Sequence, residues 1–417
     1  MFETWDLQAC GGPQQRCVFS YLTFLEMEGN SQAKVRIRMA HASPASNPME
    51  LLARKNKRLI GSVELSSTEI VVGAVCEIDP LQDPRWDEFV KRHRKGSVFH
   101  TTQWLSALRR VYGYDPLLVS IGPTHGELSS NMLCCGVKSF FTGCRYVSLP
   151  FSDHCDPLVE NAEEFDHLLM HLKHGVDEGD WQYLEVRPTT FQPGTATQLA
   201  KSDTYYYHRL DLERNIELLF RGFHKDCIQR KIRRAEREKL RYEEGRSEVL
   251  LKKFYRLMVM TRRRQGLPPQ PIAWFRGLIA SFDDCLKIRV ASKGDTPVAS
   301  ILTLSYKNCM TYKYGCSDAR FNNLGGTPFL FWKTIEEAKC NGLEVLDLGR
   351  SDVDNPGLVT FKEHWGASRS VLNYWRYPAK NQANPRPWKA RLGHWMASRS
   401  PAWALKAAGN LLYPHIG

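Results

Sequence analysis

Residues 346–367, LDLGRSDVDNPGLVTFKEHWGA, hold an unusual density of groups that can do chemistry. Asp347 and Arg350 stand at the end of an apolar run, and strand ends are where α/β proteins meet their ligands. Lys362 and His364 are ionisable groups within one turn of Trp365, and Gly366 follows. Acidic, basic and aromatic groups gathered at a strand end could meet a charged ligand there. The same spacing also fits a plainer arrangement, with Trp365 filling core and Lys362 solvated.

A second group lies upstream in ARFNNLGGTP. Arg320, Asn323, Gly325, Gly326 and Thr327 precede a clear helix, and backbone N–H groups at a helix start attract phosphate. A simple strand-to-helix turn would look the same. A third group is basic. Residues 221–241 hold nine Lys or Arg against three acids, with Arg230, Arg233 and Arg234 in the middle. Such a stripe suits the phosphates of RNA or of a nucleotide-linked substrate, although charged helix faces are often only solvated. Ile228, Ile232 and Ala235 give it a narrow buried side. His167, His171 and His174 follow helical spacing, but no carboxylate base or third ligand stands at a zinc spacing. They are expected on an exposed helix face, with no metal site.

These groups need a framework, and the chain is long enough to build one. Its 417 residues suggest two or three domains, and 42% apolar residues allow a sizeable core. No apolar run is long enough for a transmembrane helix, and no secretory leader is evident. Twelve scattered cysteines without a Cys-x-x-Cys pair read as reduced, cytosolic thiols. The formal charge of +12 favours anionic partners such as RNA, phosphorylated substrates or anionic lipid.

Residues 1–74 read as a disordered lead-in or a mis-assigned start, with Met39 or Met49 as the alternative first residue. From Val75 the pattern is mixed α/β. Helices are expected over DPRWDEFVKRHR, TTQWLSALRRVYG and AEEFDHLLMHLKHGVDEG, and strands at PLLVSI, NMLCCGVKSFF, YVSLPF and YLEVRP. The second half begins near Tyr205. It offers the strand YYHRLDL, the basic helix CIQRKIRRAEREKL, a long helix capped by Ser247, and a shorter helix, PIAWFRGLIASF. An antiparallel meander (LKIRVAS, PVASILTLSY, CMTYKYGC) comes next, then a helix capped by Thr327. The strand LEVLDLG and a final strand, RSVLNYWRYP, close it. The tail, residues 381–417, is basic and carries Trp388, Trp395, Trp403, Leu405, Leu411 and Leu412. It is expected to pack back on the domain, with a membrane surface as the alternative.

FHTTQWLSALRRVYGYDPLLVSI, YVSLPFSDHCDPLV, IQRKIRRAEREKL, LDLGRS and FKEHWGA…LNYWRYP, in this order, resemble Fem-like members of the GNAT superfamily. Segment 320–325 also partly matches the GNAT acyl-CoA loop, with Asn323 in place of the first glycine. The resemblance spans Val75 to Pro378 and implies an α/β fold of two tandem GNAT-like domains, 75–204 and 205–380, with a cleft between them. It implies acyl or aminoacyl transfer to an amine of a cell-envelope precursor or polysaccharide unit. The donor would be acyl-CoA or aminoacyl-tRNA, with no tightly bound cofactor. LEVLDLG would be the splayed strand that receives the donor. Arg350 would stand at the cleft mouth, residues 351–360 would form its flexible rim, and Trp365-Gly366 would anchor a tight turn against the cleft. Asp347 and Lys362 would be the catalytic pair, and Arg320, Asn323, Gly325, Gly326 and Thr327 the donor loop. The substrate side would take Arg350, Trp365, Gly366, Arg230, Arg233, Arg234, Ser152, Asp153 and Trp104. The expected partners are a small or lipid-linked substrate, tRNA, and the inner membrane face through the tail. A non-catalytic RNA- or envelope-binding module and a small-molecule N-acetyltransferase are the competing readings.

Overall fold

The computed structural model describes residues 74–122, 126–194, 197–379 and 399–416. Trp388, Trp395 and the lead-in before residue 74 lie outside the described residues. The first half runs β1 (Val75–Ile78), α1 (Arg85–Arg92), α2 (Thr102–Tyr112), β2 (Asp115–Ile121), β3 (Ser130–Ser139), β4 (Gly143–Val147), α3 (Ala162–Asp177) and β5 (Leu184–Val186). Thr101 caps α2 by accepting from the Trp104 N–H, and Gly113 ends it in the left-handed conformation. YVSLPF leaves the strand at Val147, so its second part is loop. Phe140 and Phe141, expected in a strand, form the β3–β4 turn.

The second half runs β6 (Ala200–Asp211), α4 (Ile216–Gly222), a π-helical turn (Lys225–Gln229), α5 (Arg230–Arg237), β7 (Arg241–Gly245), α6 (Glu248–Arg264) and α7 (Ile272–Phe282). The meander β8 (Leu286–Lys293), β9 (Thr296–Tyr306) and β10 (Cys309–Ser317) leads to α8 (Gly326–Cys340). Then come β11 (Val345–Asp352), α9 (Pro356–Glu363), β12 (Ser368–Tyr377) and the terminal α10 (Ala402–Ile416). Ser247 caps α6 by accepting from the Leu250 N–H. Helix α8 begins one residue before the expected cap. Gly325 is its N-cap, and Thr327 lies inside the helix.

Among the described residues the strands form one sheet of twelve, ordered β1-β2-β3-β4-β5-β12-β6-β11-β10-β9-β8-β7. The boundary expected at 204/205 therefore falls inside β6, and the closing strand β12 joins the halves by pairing with both β5 and β6. A core on one face also crosses the halves: Trp86 and Trp104 of the first pack with Phe254 and Trp274 of the second. On the other face α5, α8 and α9 cover a separate core centred on Phe331, Leu346 and Trp365.

Two strand pairs are parallel, and β10–β11 is the important one. Its register stops after Cys309↔Val345, Met310↔Leu346 and Thr311↔Asp347. Beyond that point β10 continues only along β9, and β11 only along β6, each with a local irregularity at Tyr312/Tyr314 and Asp347/Gly349. The two strands part there and open a V in the middle of the sheet.

Candidate functional site

Asp347 is the last residue of β11 to pair with β10, so its carboxylate sits at the apex of the V. It is buried, and one oxygen accepts from the Gly349 N–H at 2.7 Å. The other oxygen lies 3.3 Å from Nε2 of His154, a buried residue of the loop after β4. The Tyr207 hydroxyl of β6 is also 3.3 Å from this nitrogen. Nδ1 of His154 is buried and has no hydrogen-bond partner among the described residues, with Asp156 3.9 Å away. Asp347 as acceptor keeps the imidazole proton on Nε2, which leaves the Nδ1 lone pair open. Burial pushes the His154 pKa down, but the hydrogen bond and charge of Asp347, with Asp156 and Asp153, outweigh it and raise it. Burial, aided by the charge of Asp347, raises the Tyr207 pKa well above its ordinary value, so this hydroxyl keeps its proton.

His154, Asp347 and Tyr207 line a cavity of about 360 Å³ between the two halves. Arg94, Lys95 and Arg209 also line it, and Arg94 and Arg209 are exposed, so it meets solvent past positive charge. Beside the apex Asp153 reaches in from the first half. Its carboxylate is 3.1 Å from Lys313 of β10 and 4.0 Å from Arg350 of β11. Burial opposes its charge, yet Lys313 and Arg350 hold its pKa below the usual carboxylate range. Arg350 also donates to the Tyr374 hydroxyl at 2.6 Å and lies over the Tyr205 ring.

A second, larger cavity of about 620 Å³ lies at the start of α8. Gly326, Thr327 and Pro328 line it with Ser317, Phe321 and Asn322, facing Lys231 of α5 and Thr360, Phe361 and His364 at the end of α9. The α8 N–H groups and Lys231 make this wall suited to phosphate. Gly325 has φ +79°, and a Cβ there would collide with the Lys231 carbonyl. This glycine therefore serves the close packing of the loop on α5.

Several expected site residues take other roles. Lys362 is buried, and its Nζ donates to the Gly349 and Arg350 carbonyls at 2.9 and 2.8 Å, so it pins the irregular part of β11 instead of meeting an oxyanion. Trp365 is 1% exposed and packs on Phe223 and Phe331, and Trp104 packs on Phe99 and Trp274. Both are core, because large rings next to the sheet bury more apolar area than a wet cleft would allow. Gly366 is exposed with φ +74° and open space where a Cβ would stand, so backbone conformation rather than crowding selects it. Ser152 is buried and donates to the Leu149 carbonyl. Arg320 turns back onto Asp318, and Asn323 is exposed outside the cavity wall. Arg230 and Arg234 pair with Asp226 and Glu238 along an exposed helix face, and Arg233 lies over Phe220. β11 extends through Asp352, so Arg350 is within the strand, and α9 takes the second half of the expected rim. His171 and His174 pair with Glu77 and Glu178.

Two residues of the apex, His154 and Tyr207, carry no signal of their own in the sequence. His154 lies in SDHCD, inside a segment marked only by its likeness to a family, and Tyr207 is one of three consecutive tyrosines in β6.

Residues 223–362 match the acetyltransferase (GNAT) domain family. No curated protein matches the chain in sequence. Among solved structures, FemX is similar at 16% identity and a TM-score of 0.55, over 77% of this chain and 100% of that one. L-PGS from Bacillus licheniformis is similar at 14% identity and 0.42, over 64% and 86%. A tandem GNAT protein from the clavulanic acid biosynthesis pathway is similar at 9% identity and 0.46, over 74% and 99%. Residues 223–362 thus match the acetyltransferase (GNAT) domain family, and the chain shares the fold of FemX over 77% of its length.

Proposed function

We propose that the protein is an N-acyltransferase acting on the amine of an anionic cell-envelope precursor or polysaccharide unit. The donor is acyl-CoA or aminoacyl-tRNA, held with its phosphates toward the start of α8. The observation that carries this reading is the His154–Asp347 pair at the apex of the V, with Nδ1 buried and unpartnered among the described residues. The acceptor amine enters the smaller cavity, where Arg94, Lys95 and Arg209 attract its negative charge. Nδ1 takes a proton as the amine nitrogen bonds to the donor carbonyl carbon. Asp347 stabilises the imidazolium that forms. The Tyr207 hydroxyl donates to the carbonyl oxygen while the tetrahedral intermediate exists. The C–S bond of a thioester or the C–O bond of an aminoacyl ester then breaks, and the leaving group carries away the proton. Two reactants held at one apex account for most of the rate gain that such chemistry needs.

Titration of the full chain by calorimetry, with acetyl-CoA and separately with a charged tRNA pool, tests the donor. Saturable acetyl-CoA binding that Lys231→Ala, a change at an exposed cavity-wall residue, weakens makes this an acyl-CoA enzyme. Binding of charged tRNA alone makes it an aminoacyl-tRNA enzyme. Binding of neither would overturn the proposal.

The acceptor is reached at a membrane surface. No helix among the described residues is long and apolar enough to cross one. Instead, Phe140 and Phe141 project from the β3–β4 turn, 95% and 65% exposed, and Phe141 packs on His415 of α10. Helix α10 buries Leu405 but exposes Trp403, Leu411, Leu412 and Ile416. Exposed aromatic and aliphatic side chains on a protein of charge +12 suit the interface of an anionic bilayer.

A further inference from the structure

The larger cavity has a feature that the acyl-transfer chemistry does not use. His224, Cys227 and His364 bring two imidazoles and a thiol together, with one ligand atom from each lying within 4.8 Å of the others. The two ring centroids are 4.2 Å apart, and the His224 backbone N–H donates to the His364 carbonyl at 2.8 Å. His224 caps the π-helical turn that carries Cys227, so these two donors are set by one local turn. His364 arrives from the C-terminal end of α9.

We propose that His224, Cys227 and His364 bind one divalent cation of the zinc class at the rim of the larger cavity. Two nitrogens and a sulfur are the borderline-soft set that zinc takes in preference to magnesium or calcium. Tetrahedral bonds of about 2.0–2.1 Å to nitrogen and 2.3 Å to sulfur require donors about 3.3–3.7 Å apart, so side-chain rotations of about 1 Å close the set. On binding, Cys227 gives its proton to solvent and ligates as thiolate. The His224 Nδ1 now accepts from the Cys227 N–H at 3.2 Å. Ligation through Nδ1 takes over that lone pair, and ligation through Nε2 moves the ring proton to Nδ1. Either way, that hydrogen bond is exchanged for the metal bond.

The position gives the ion two consequences. It ties the turn before α5 to the end of α9, two walls of the cavity that are otherwise joined there by a backbone hydrogen bond. Three protein ligands also leave a fourth position, and Cys227 and His364 both line the cavity, so that position is available to a molecule inside it. The site is thus of the open type, suited to a phosphate oxygen, a thiol or water. It does not depend on which acyl donor the protein uses.

Cobalt substitution tests this directly. Full-length protein, stripped with chelator and kept reduced, is titrated with Co²⁺ and followed by absorption. One equivalent should produce a thiolate-to-cobalt charge-transfer band in the near ultraviolet and intense visible bands of a tetrahedral ion. Cys227→Ser should remove the charge-transfer band, although Cys285 and Cys340 remain exposed. His364→Ala should weaken zinc binding, read by competition with a chromophoric chelator, at least tenfold. Circular dichroism of each variant reports the fold independently. A wild-type protein with no such band, or variants that bind zinc as tightly as wild type, would overturn the proposal.

Discussion

Asp153 stands between the parted strands β10 and β11, and its carboxylate lies against Gly349 so closely that a Cβ there would collide with it. A carboxylate of the first half thus bridges the two parted strands of the second through Lys313 and Arg350. Gly349 also has φ +70°. Gly349→Ala is therefore expected to destabilise the protein by about 1–3 kcal/mol or more and to displace Asp153. Gly357→Ala, at a position with an ordinary φ and only Asn355 near, is the control and should cost far less. Thermal unfolding of the two variants makes the comparison.

Trp365 is a core residue in this structure, and the expected effects follow. Trp365→Ala should cost about 3–5 kcal/mol in stability, read by urea unfolding. Trp365→Phe should fold and bind donor nearly as wild type, whereas a substrate-contacting ring would lose donor or acceptor affinity in both variants.

Burial lowers the Lys362 pKa to about 8. An unfolded chain would hold that proton up to about pH 10.4. Between these values the unfolded state binds more protons, so this group adds stability as pH rises through the window and adds none of that rise below it. Lys362→Met lacks the effect. The difference in unfolding free energy between wild type and variant should therefore grow in favour of wild type from pH 8 to 10, by about 2 kcal/mol. A pH-independent difference would mean that Lys362 titrates normally.

The exposed turn and terminal helix predict vesicle binding. Wild type should sediment with vesicles containing anionic phosphatidylglycerol and much less with neutral phosphatidylcholine. Phe140→Ser with Phe141→Ser should release it with little loss of stability, because Phe140 is exposed and Phe141 touches only the edge of the fold at His415. Self-association lost in the same variant, without vesicle binding in wild type, would assign the patch to a second copy.

Local signals in the sequence served the elements better than the site. The stripe Trp104, Leu105, Leu108 and the Ser247 cap appear where the pattern puts them, because helix ends and faces depend on neighbours in the chain. The antiparallel meander β8–β9–β10 is equally local. Asp347 was recognisable as a carboxylate in an apolar strand. Its partner His154 is 193 residues away, and only the pairing of sheet strands from the two halves brings them together. Trp365 and Lys362 misled for a related reason. An aromatic and a cation beside a glycine look like a ligand site, yet packing under α9 turned one into core and the other onto strand carbonyls. His364 stands out in the sequence as an ionisable group, but no short spacing links it, at the end of α9, to His224 and Cys227 in the turn before α5.

The most direct test of the His154–Asp347 site is the pH dependence of acyl transfer to an amine acceptor, measured as kcat/KM for wild type, His154→Gln and Asp347→Asn. A base must be unprotonated, so the wild-type rate should rise with pH through the raised His154 pKa, with a midpoint above the ordinary histidine value of about 6.5. Asp347→Asn should lower that midpoint and slow the reaction. His154→Gln should lose about 100-fold or more and flatten the profile while still binding donor. Variants that keep the wild-type rate and the same acid limb would contradict the placement of the catalytic base at the His154–Asp347 pair.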